Sequence, residues 1–199
     1  MIRLGLTGSI ATGKSTVLEM FRARDIPVYS ADEAVHALYA GDAVAEVGAL
    51  FPGVTVNGAV DRARLSKKLL ETPDGFAKLE ALVHPLVRQK MLAFLDEAEA
   101  AGADLAVLEI PLLYETGHPY PLDAVAVVSC ADAEQRRRAL ARAGMSVEKL
   151  DAILARQVPQ AEKRLRADFV ISTDGPEVDT AAEVDQLLTI LRKRAADNA

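Results

Sequence analysis

The run Gly8-Ser9-Ile10-Ala11-Thr12-Gly13-Lys14-Ser15 sets two glycines, a lysine and a hydroxyl at the spacing GxxxxGK[ST]. Each residue type suits a phosphate chain. Gly8 and Gly13 let the backbone close around phosphate oxygens, and the amides of the loop from Ala11 and Thr12 onward can turn inward as donors. Lys14 can reach β- and γ-phosphates. The Ser15 hydroxyl can ligate Mg²⁺, which prefers oxygen donors, and Thr16 is placed for the α-phosphate. The loop lies directly between an apolar run suited to a strand and a helical segment, the context in which such a motif binds anions. It leaves open which nucleotide binds and whether phosphate passes to water or to an acceptor.

Two acids stand at the ends of apolar runs: Asp32 follows Pro27 to Ser30, and Glu109 closes the run beginning at Leu105. In open α/β sheets ligands sit beyond the carboxyl ends of the strands, so either could orient an attacking hydroxyl or hold water on Mg²⁺. Each has a purely structural alternative. Ser30 and Glu33 have capping-box spacing and an early acid favours a helix dipole, so Asp32 could be a helix-start residue. Glu109 could be the buried partner of an arginine. His84 and Arg88 lie four apart, where they project together toward an anion or simply toward water. Gln135, Arg138 and Arg142 also fall at helical spacing, and a guanidinium there could cover a γ-phosphate or pair with Asp132 and Glu134 on the surface. Cys130 ends an apolar run and reads as a small core side chain rather than a nucleophile.

The elements that must position these residues follow from periodicity. Strand-like runs occur at Ile2 to Thr7, Pro27 to Ser30, Leu105 to Ile110, Ala124 to Ser129 and Asp168 to Ser172. Longer segments with helical spacing separate them, which predicts an α/β fold: a parallel sheet covered on both faces. The interval from about 31 to 100 contains helical patterns and no convincing core strand, and reads as an inserted helical lobe. In it Thr72 and Pro73 look like an N-cap and first helical residue, and Leu79, Leu82, Val83, Leu86 and Val87 form an apolar face. Pro85 is expected to kink that helix. The arginine-rich stretch from about 135 to 166, broken at Gly144-Met145-Ser146, reads as a mobile flap. Val184, Leu187, Leu188 and Leu191 make the stripe of a last helix opened by Pro176, with a polar end after Arg192 expected to fray.

The chain has 199 residues, enough for one substantial core with small inserted lobes. Its net charge of −6 argues against a general nucleic-acid binder. No apolar run approaches a membrane span, the start lacks the layout of a signal peptide, and a single cysteine forms no intrachain disulfide. These features point to a soluble cytoplasmic protein without nucleic-acid or membrane partners; a homo-oligomer is compatible with them. The guanine-reading NKxD element of GTPase switches is absent, since neither Asn57 nor Asn198 precedes a lysine. A kinase acting on another small molecule, or a nucleotide-binding regulatory module without turnover, stays open on these grounds.

Taken in order, the residues resemble the dephospho-CoA kinase family over nearly the whole chain. The likeness runs through Gly5-Leu6-Thr7-Gly8 into the phosphate loop, Asp32, and Leu79-Glu80 leading to His84-Pro85-Leu86-Val87-Arg88. It continues with Glu109-Ile110-Pro111-Leu112-Leu113-Tyr114-Glu115, Gln135-Arg136-Arg137-Arg138 with Arg142, Gln157, and Ala167-Asp168-Phe169-Val170-Ile171. The resemblance implies a three-layer fold of the P-loop NTPase type, with a core at about 1–30 and 101–199, an acceptor-binding helical lobe at about 31–100 and a lid at about 135–166. It implies ATP as co-substrate, Mg²⁺ as cofactor, and transfer to the ribose 3′-hydroxyl of dephospho-CoA, giving CoA and ADP. Asp32 would be the catalytic base. Gly8 to Thr16, Arg138 and Arg142 would contact ATP, while His84, Arg88, Leu112, Leu113 and Glu115 would line the acceptor side. Ser15 would ligate Mg²⁺, joined through water by Glu109, and the Thr173-Asp174-Gly175 turn would lie near adenine. The chain departs from the commonest family form in Ser9 and Ala11 of the loop, where glycines are frequent, and in Glu109, where aspartate is common.

Overall fold

Strands and helices alternate along the chain in the order β1 (Ile2–Thr7), α1 (Lys14–Arg22), β2 (Val28–Ser30), α2 (Ala31–Tyr39), α3 (Val44–Leu50), β3 (Thr55–Val56), β4 (Ala59–Val60), α4 (Arg62–Glu71) and α5 (Gly75–Ala100). There follow β5 (Leu105–Glu109), β6 (Ala124–Ser129), α6 (Asp132–Leu140), α7 (Val147–Leu154), α8 (Gln160–Arg166), β7 (Phe169–Ser172) and α9 (Glu177–Asp197). The computed structural model describes residues 1–197. The described residues divide into two compact units, one of residues 1–28 and 98–197, the other Tyr29–Glu97.

The first unit is built on a sheet of order β2-β5-β1-β6-β7. β1 pairs in parallel with β5, Leu6 opposite Glu109, and with β6, Thr7 opposite Val127; β6 pairs in parallel with β7. At the β2 edge the Val107 N–H donates to the Pro27 carbonyl at 2.9 Å. β1 is thus central, and its neighbours are strands that follow much later in the chain, which makes its carboxyl end a topological switch point where α/β sheets bind ligands. Leu4 and Leu6, two apart and therefore on one face, pack with Val17, Leu18 and Phe21 of α1 and with Val184, Leu187, Leu188 and Leu191 of α9. Burying such side chains stabilises by about 1.5–3 kcal/mol each, so this layer is what fixes α1, and with it the loop at its start, against the sheet. Beyond Arg192 the last helix continues to Asp197, and the rest of the polar end expected to fray lies outside the described residues. Arg192 is tied to Asp104 at 2.6 Å and the Arg194 guanidinium lies 5.1 Å from the Phe169 ring centroid, contacts that a view of the isolated helix lacks.

In the second unit Leu38, Val47, Phe51, Val54, Leu65, Leu69 and Val83 form a separate apolar core, with Leu79, Leu82, Leu86 and Val87 packed against it. The expected apolar face of α5 is therefore present. Pro85 lies inside α5, which is continuous through it. Two expectations fail here. Thr72 does not cap α5: it ends α4, with its Oγ1 donating back to the Lys68 carbonyl at 2.7 Å. The residue before a proline is driven to extended backbone, so Pro73 stops α4 at Thr72, and α5 begins only at Gly75. The unit also contains an antiparallel hairpin, with Thr55 opposite Val60 and Val56 opposite Ala59. Its two-residue turn, Asn57 at φ 50° and Gly58 at φ 80°, has the doubly left-handed form that matches strand twist.

Candidate active site

The phosphate loop runs from the end of β1 into α1, and its backbone explains its glycines. A Cβ at Gly8 would stand 2.5 Å from the Val128 carbonyl oxygen, and Gly13 has φ 93° with the Thr173 methyl 3.1 Å from where its Cβ would be. Ala11, at φ 61°, adopts a left-handed backbone without being glycine, a strained choice costing of order 1–3 kcal/mol. α1 has no side-chain N-cap and no acid in its first turn. A helix start left in this way keeps inward amides and a positive dipole end for an anion. Lys14 Nζ lies over the same loop, donating to the Gly8 and Ser9 carbonyls at 2.8 and 3.3 Å. Ser15 and Thr16 are exposed at the helix start, and Thr12 Oγ1 donates to the Ser9 carbonyl at 3.0 Å.

The rest of the first unit braces this loop. Thr173 Oγ1 donates to the Thr12 carbonyl at 2.7 Å, and Arg138 donates to Thr173 Oγ1 at 2.9 Å and to its carbonyl at 2.6 Å. Arg138 Nε also donates to Glu134 at 2.6 Å, leaving part of its donor fork uncommitted. Arg137, then Arg138, hold the Glu134 carboxyl down at about 2 by hydrogen bonding and charge. Ala131 N–H donates to Asp174 at 2.6 Å, tying the 173–175 turn to the start of α6. Arg142 is exposed and makes no side-chain hydrogen bond or ion pair among the described residues. Cys130 is buried and burial raises its thiol pKa, the environment of an inert core side chain.

Glu109 is buried at the end of β5, opposite Leu6 of the strand that feeds the loop. The segment after it places its residues unequally. Leu112 is 44% exposed, Leu113 is buried, and Glu115 pairs at 2.7 Å with Lys163, whose side chain is wholly buried, while accepting the Val158 N–H at 2.9 Å. Glu115 therefore anchors α8 to the segment after β5. In the second unit Ser30 accepts the Glu33 N–H at 3.4 Å as the N-cap of α2, which leaves Asp32 exposed in the first turn. Asp32 makes no side-chain hydrogen bond or ion pair among the described residues, and the same holds for His84 and Arg88, exposed one turn apart on α5.

Gln157 accepts the Ile10 N–H at 3.1 Å and Gln135 donates to the Ile10 carbonyl at 2.8 Å, contacts with the loop that the family likeness names no role for; Gln160, which donates to Gln135, and Lys163, which pairs with Glu115, were not singled out by the sequence at all. Isolated glutamines carry no periodic signal, and the contacts of Gln135 and Gln157 with Ile10 join segments 125 and 147 residues apart.

A glycine-lysine loop on the central strand of a parallel sheet, opening an uncapped helix, defines a P-loop phosphotransferase fold. Within that class the chain belongs to the dephospho-CoA kinase family, whose pattern matches residues 2–179. A dephospho-CoA kinase of Rhodopseudomonas palustris is 51% identical over 188 residues, 94% of each chain. A solved structure from Thermus thermophilus is 36% identical with a TM-score of 0.80, covering 96% of this chain and 97% of its own. The dephospho-CoA kinase of Campylobacter jejuni is 25% identical with a TM-score of 0.73, covering 97% and 98%. No helix among the described residues is long and apolar enough to cross a membrane.

Proposed function

We propose that this chain transfers the γ-phosphoryl group of ATP to the ribose 3′-hydroxyl of dephospho-CoA, forming CoA and ADP. The observation that carries the reading is the phosphate loop with its uncapped helix start, in a chain that matches this family over residues 2–179. Lys14 leaves the loop carbonyls for the β- and γ-phosphates, and the amides from Ala11 to Thr16, with Gly8 and Gly13 giving the backbone its approach, hold the remaining oxygens. Asp32 accepts the proton of the 3′-hydroxyl as its oxygen bonds to the γ-phosphorus. The bond to the β,γ-bridging oxygen breaks, and the electron pair leaves with ADP. Such transfer needs the attacking oxygen about 3–3.5 Å from phosphorus, so the unit Tyr29–Glu97 acts as the acceptor lobe that delivers it, with His84 and Arg88 meeting the acceptor's anionic groups. Leu112, Leu113 and Glu115 shape the acceptor side from the segment after β5, Leu113 and Glu115 from within its packing. Helices α6 to α8 act as the lid, and Arg138 and Arg142 meet ATP.

The donor set near the loop suits Mg²⁺: the exposed Ser15 hydroxyl and the Glu109 carboxylate are both oxygen ligands, and no cluster of three His, Cys, Asp or Glu side chains among the described residues competes as an all-protein cage. Ser15, with Glu109 through water, would hold Mg²⁺ there, and the ion would supply charge neutralisation for the transferred phosphate.

The test is ADP release with dephospho-CoA, AMP, adenosine and no acceptor, in Mg²⁺ and in chelator, with the product located by mass spectrometry and phosphorus NMR. Dephospho-CoA is expected to exceed AMP greatly in kcat/KM and to gain its phosphate on the 3′-oxygen, with turnover lost in chelator. Equal use of AMP, or phosphate at another position, would overturn the acceptor assignment.

A further inference from the structure

The backbone of Ile10, in the middle of the phosphate loop, is held on both sides by glutamines. Its N–H donates to Gln157 Oε1 at 3.1 Å, from the segment between α7 and α8, and its carbonyl accepts from Gln135 Nε2 at 2.8 Å, from α6. Gln135 is passed on in turn: its Oε1 accepts from Gln160 Nε2 at 2.8 Å, and Gln160 Oε1 accepts from Ser129 Oγ at 3.0 Å and from the Cys130 N–H at 3.4 Å. Gln135 and Gln160 are buried, 3% and 7% exposed.

The direction of this chain is dictated by backbone at both ends. The Cys130 N–H can only donate, so Gln160 presents oxygen to it and nitrogen to Gln135. Gln135 must then accept with its oxygen, and its nitrogen faces the Ile10 carbonyl, which can only accept. Aligned donors of this kind polarise one another, and buried away from water each is costly to lose. An amide serves at position 135 because it donates on one side and accepts on the other. A carboxylate there would set oxygen against the Ile10 carbonyl. At position 157 only acceptance is required, and a carboxylate supplies it.

We propose that Gln135, Gln157 and Gln160 are positioning residues that hold the phosphate loop from the helices α6 to α8 and thereby set the affinity for ATP. The three do not touch the reacting atoms: they fix Ile10, and through it the path of the backbone into Ala11, Thr12 and Gly13. The inference rests on the loop binding ATP as proposed above, but not on the identity of the acceptor. It also gives the segment 135–166 a second task, since whatever moves these helices moves the two ends of the Ile10 clamp.

The test compares Gln135→Glu, Gln157→Glu and Gln157→Leu for ATP binding by calorimetry, KM for ATP and for dephospho-CoA, Tm, and the Ile10 amide resonance. Gln135→Glu and Gln157→Leu are expected to weaken ATP about tenfold, the usual scale for orphaning a buried hydrogen-bonding partner, with the dephospho-CoA KM within about twofold of wild type. Gln157→Glu is expected to lose less than about threefold and to keep the Ile10 amide shift, which Gln157→Leu moves. Should Gln135→Glu fail to fold, the Gln157 pair carries the comparison alone. Equal effects of Glu and Leu at 157, or a parallel rise of both KM values that tracks a falling Tm, would overturn the proposal. Calorimetric ATP binding reads it even if dephospho-CoA proves not to be the acceptor, and wild-type turnover on dephospho-CoA tests that separately.

Discussion

The phosphate loop and the exposed trio Asp32, His84 and Arg88 differ in how far their polar groups are already engaged. Around the loop, Lys14, Thr12, Ile10, Thr173 and Arg138 each have hydrogen-bond partners at 3.3 Å or less. The trio lies on helix surfaces and makes no side-chain bond among the described residues. The physical cause is where each set sits. The loop follows a strand with neighbours on both sides, so its polar groups are enclosed and must be satisfied by protein. α2 and α5 fold by their apolar faces, Leu38 and Val83 among them, and their opposite faces answer to no packing demand. Substitution at such exposed positions shifts stability by no more than about 0.5 kcal/mol, so a loss of activity there reports chemistry. Around the loop, activity and architecture are harder to separate, and variants have to be chosen to do so.

The largest effect is expected at Lys14. Lys14→Ala removes the charge proposed to act on phosphates, and in this fold its Nζ donates to two loop carbonyls rather than packing in the core, so kcat/KM should fall about 1000-fold with circular dichroism unchanged. Near-normal turnover in the folded variant would remove the loop lysine from the reaction. Next comes the buried pair of Lys163 and Glu115. Lys163→Met strands a carboxylate that is only 11% exposed and should cost about 3–5 kcal/mol in urea unfolding, whereas Lys163→Met with Glu115→Leu should recover most of it. A double variant as unstable as the single one would mean that packing, and not charge, holds α8 to the segment after β5. On the exposed side, Asp32→Asn should leave Tm and ATP affinity within error while lowering kcat about 100-fold, the scale of a positioned base. A change confined to Tm would make Asp32 a helix-start residue only.

How much of this was legible before the structure depends on the range of the interactions involved. The five strands of the sheet are readable because each is a short, apolar, branched run, and α9 because its stripe repeats at helical spacing. The hairpin at Thr55 to Val60 was legible in principle, since Asn57-Gly58 is the strongest short signal for a two-residue turn, but its strands are only two residues each and lack any period. Thr72 misleads because a threonine before proline suits a helix start and a helix end equally, and only the bond to Lys68 decides. Lys163 stands in a run of charged residues that reads as a solvated surface, yet it is fully buried because Glu115, 48 positions earlier, waits for it. Gln135 and Gln157 stand out in the sequence as residues but not by their task, because the partner that defines it, the backbone of Ile10, is 125 and 147 positions away.

The smallest expected effect tests whether the brace on the loop side has an electrostatic part. Glu134 ties down Arg137 and Arg138, and Arg138 in turn holds Thr173 against the loop. Because these guanidinium groups, Arg137 first, lower the Glu134 carboxyl from its ordinary 4.5 to about 2, folding favours the ionised form. A depressed carboxylate contributes its stability fully above the unfolded value, near 4.5, and loses it as pH falls through the folded value, near 2. Glu134→Gln removes that contribution at every pH. The Tm difference between wild type and variant should therefore be constant from pH 7 to about 5, shrink below that, and close near pH 2. Because water reaches this carboxylate and screens it, the difference should be small throughout and smaller still in high salt. A difference that stays constant down to pH 2 would mean that Glu134 acts on Arg138 by shape and not by charge.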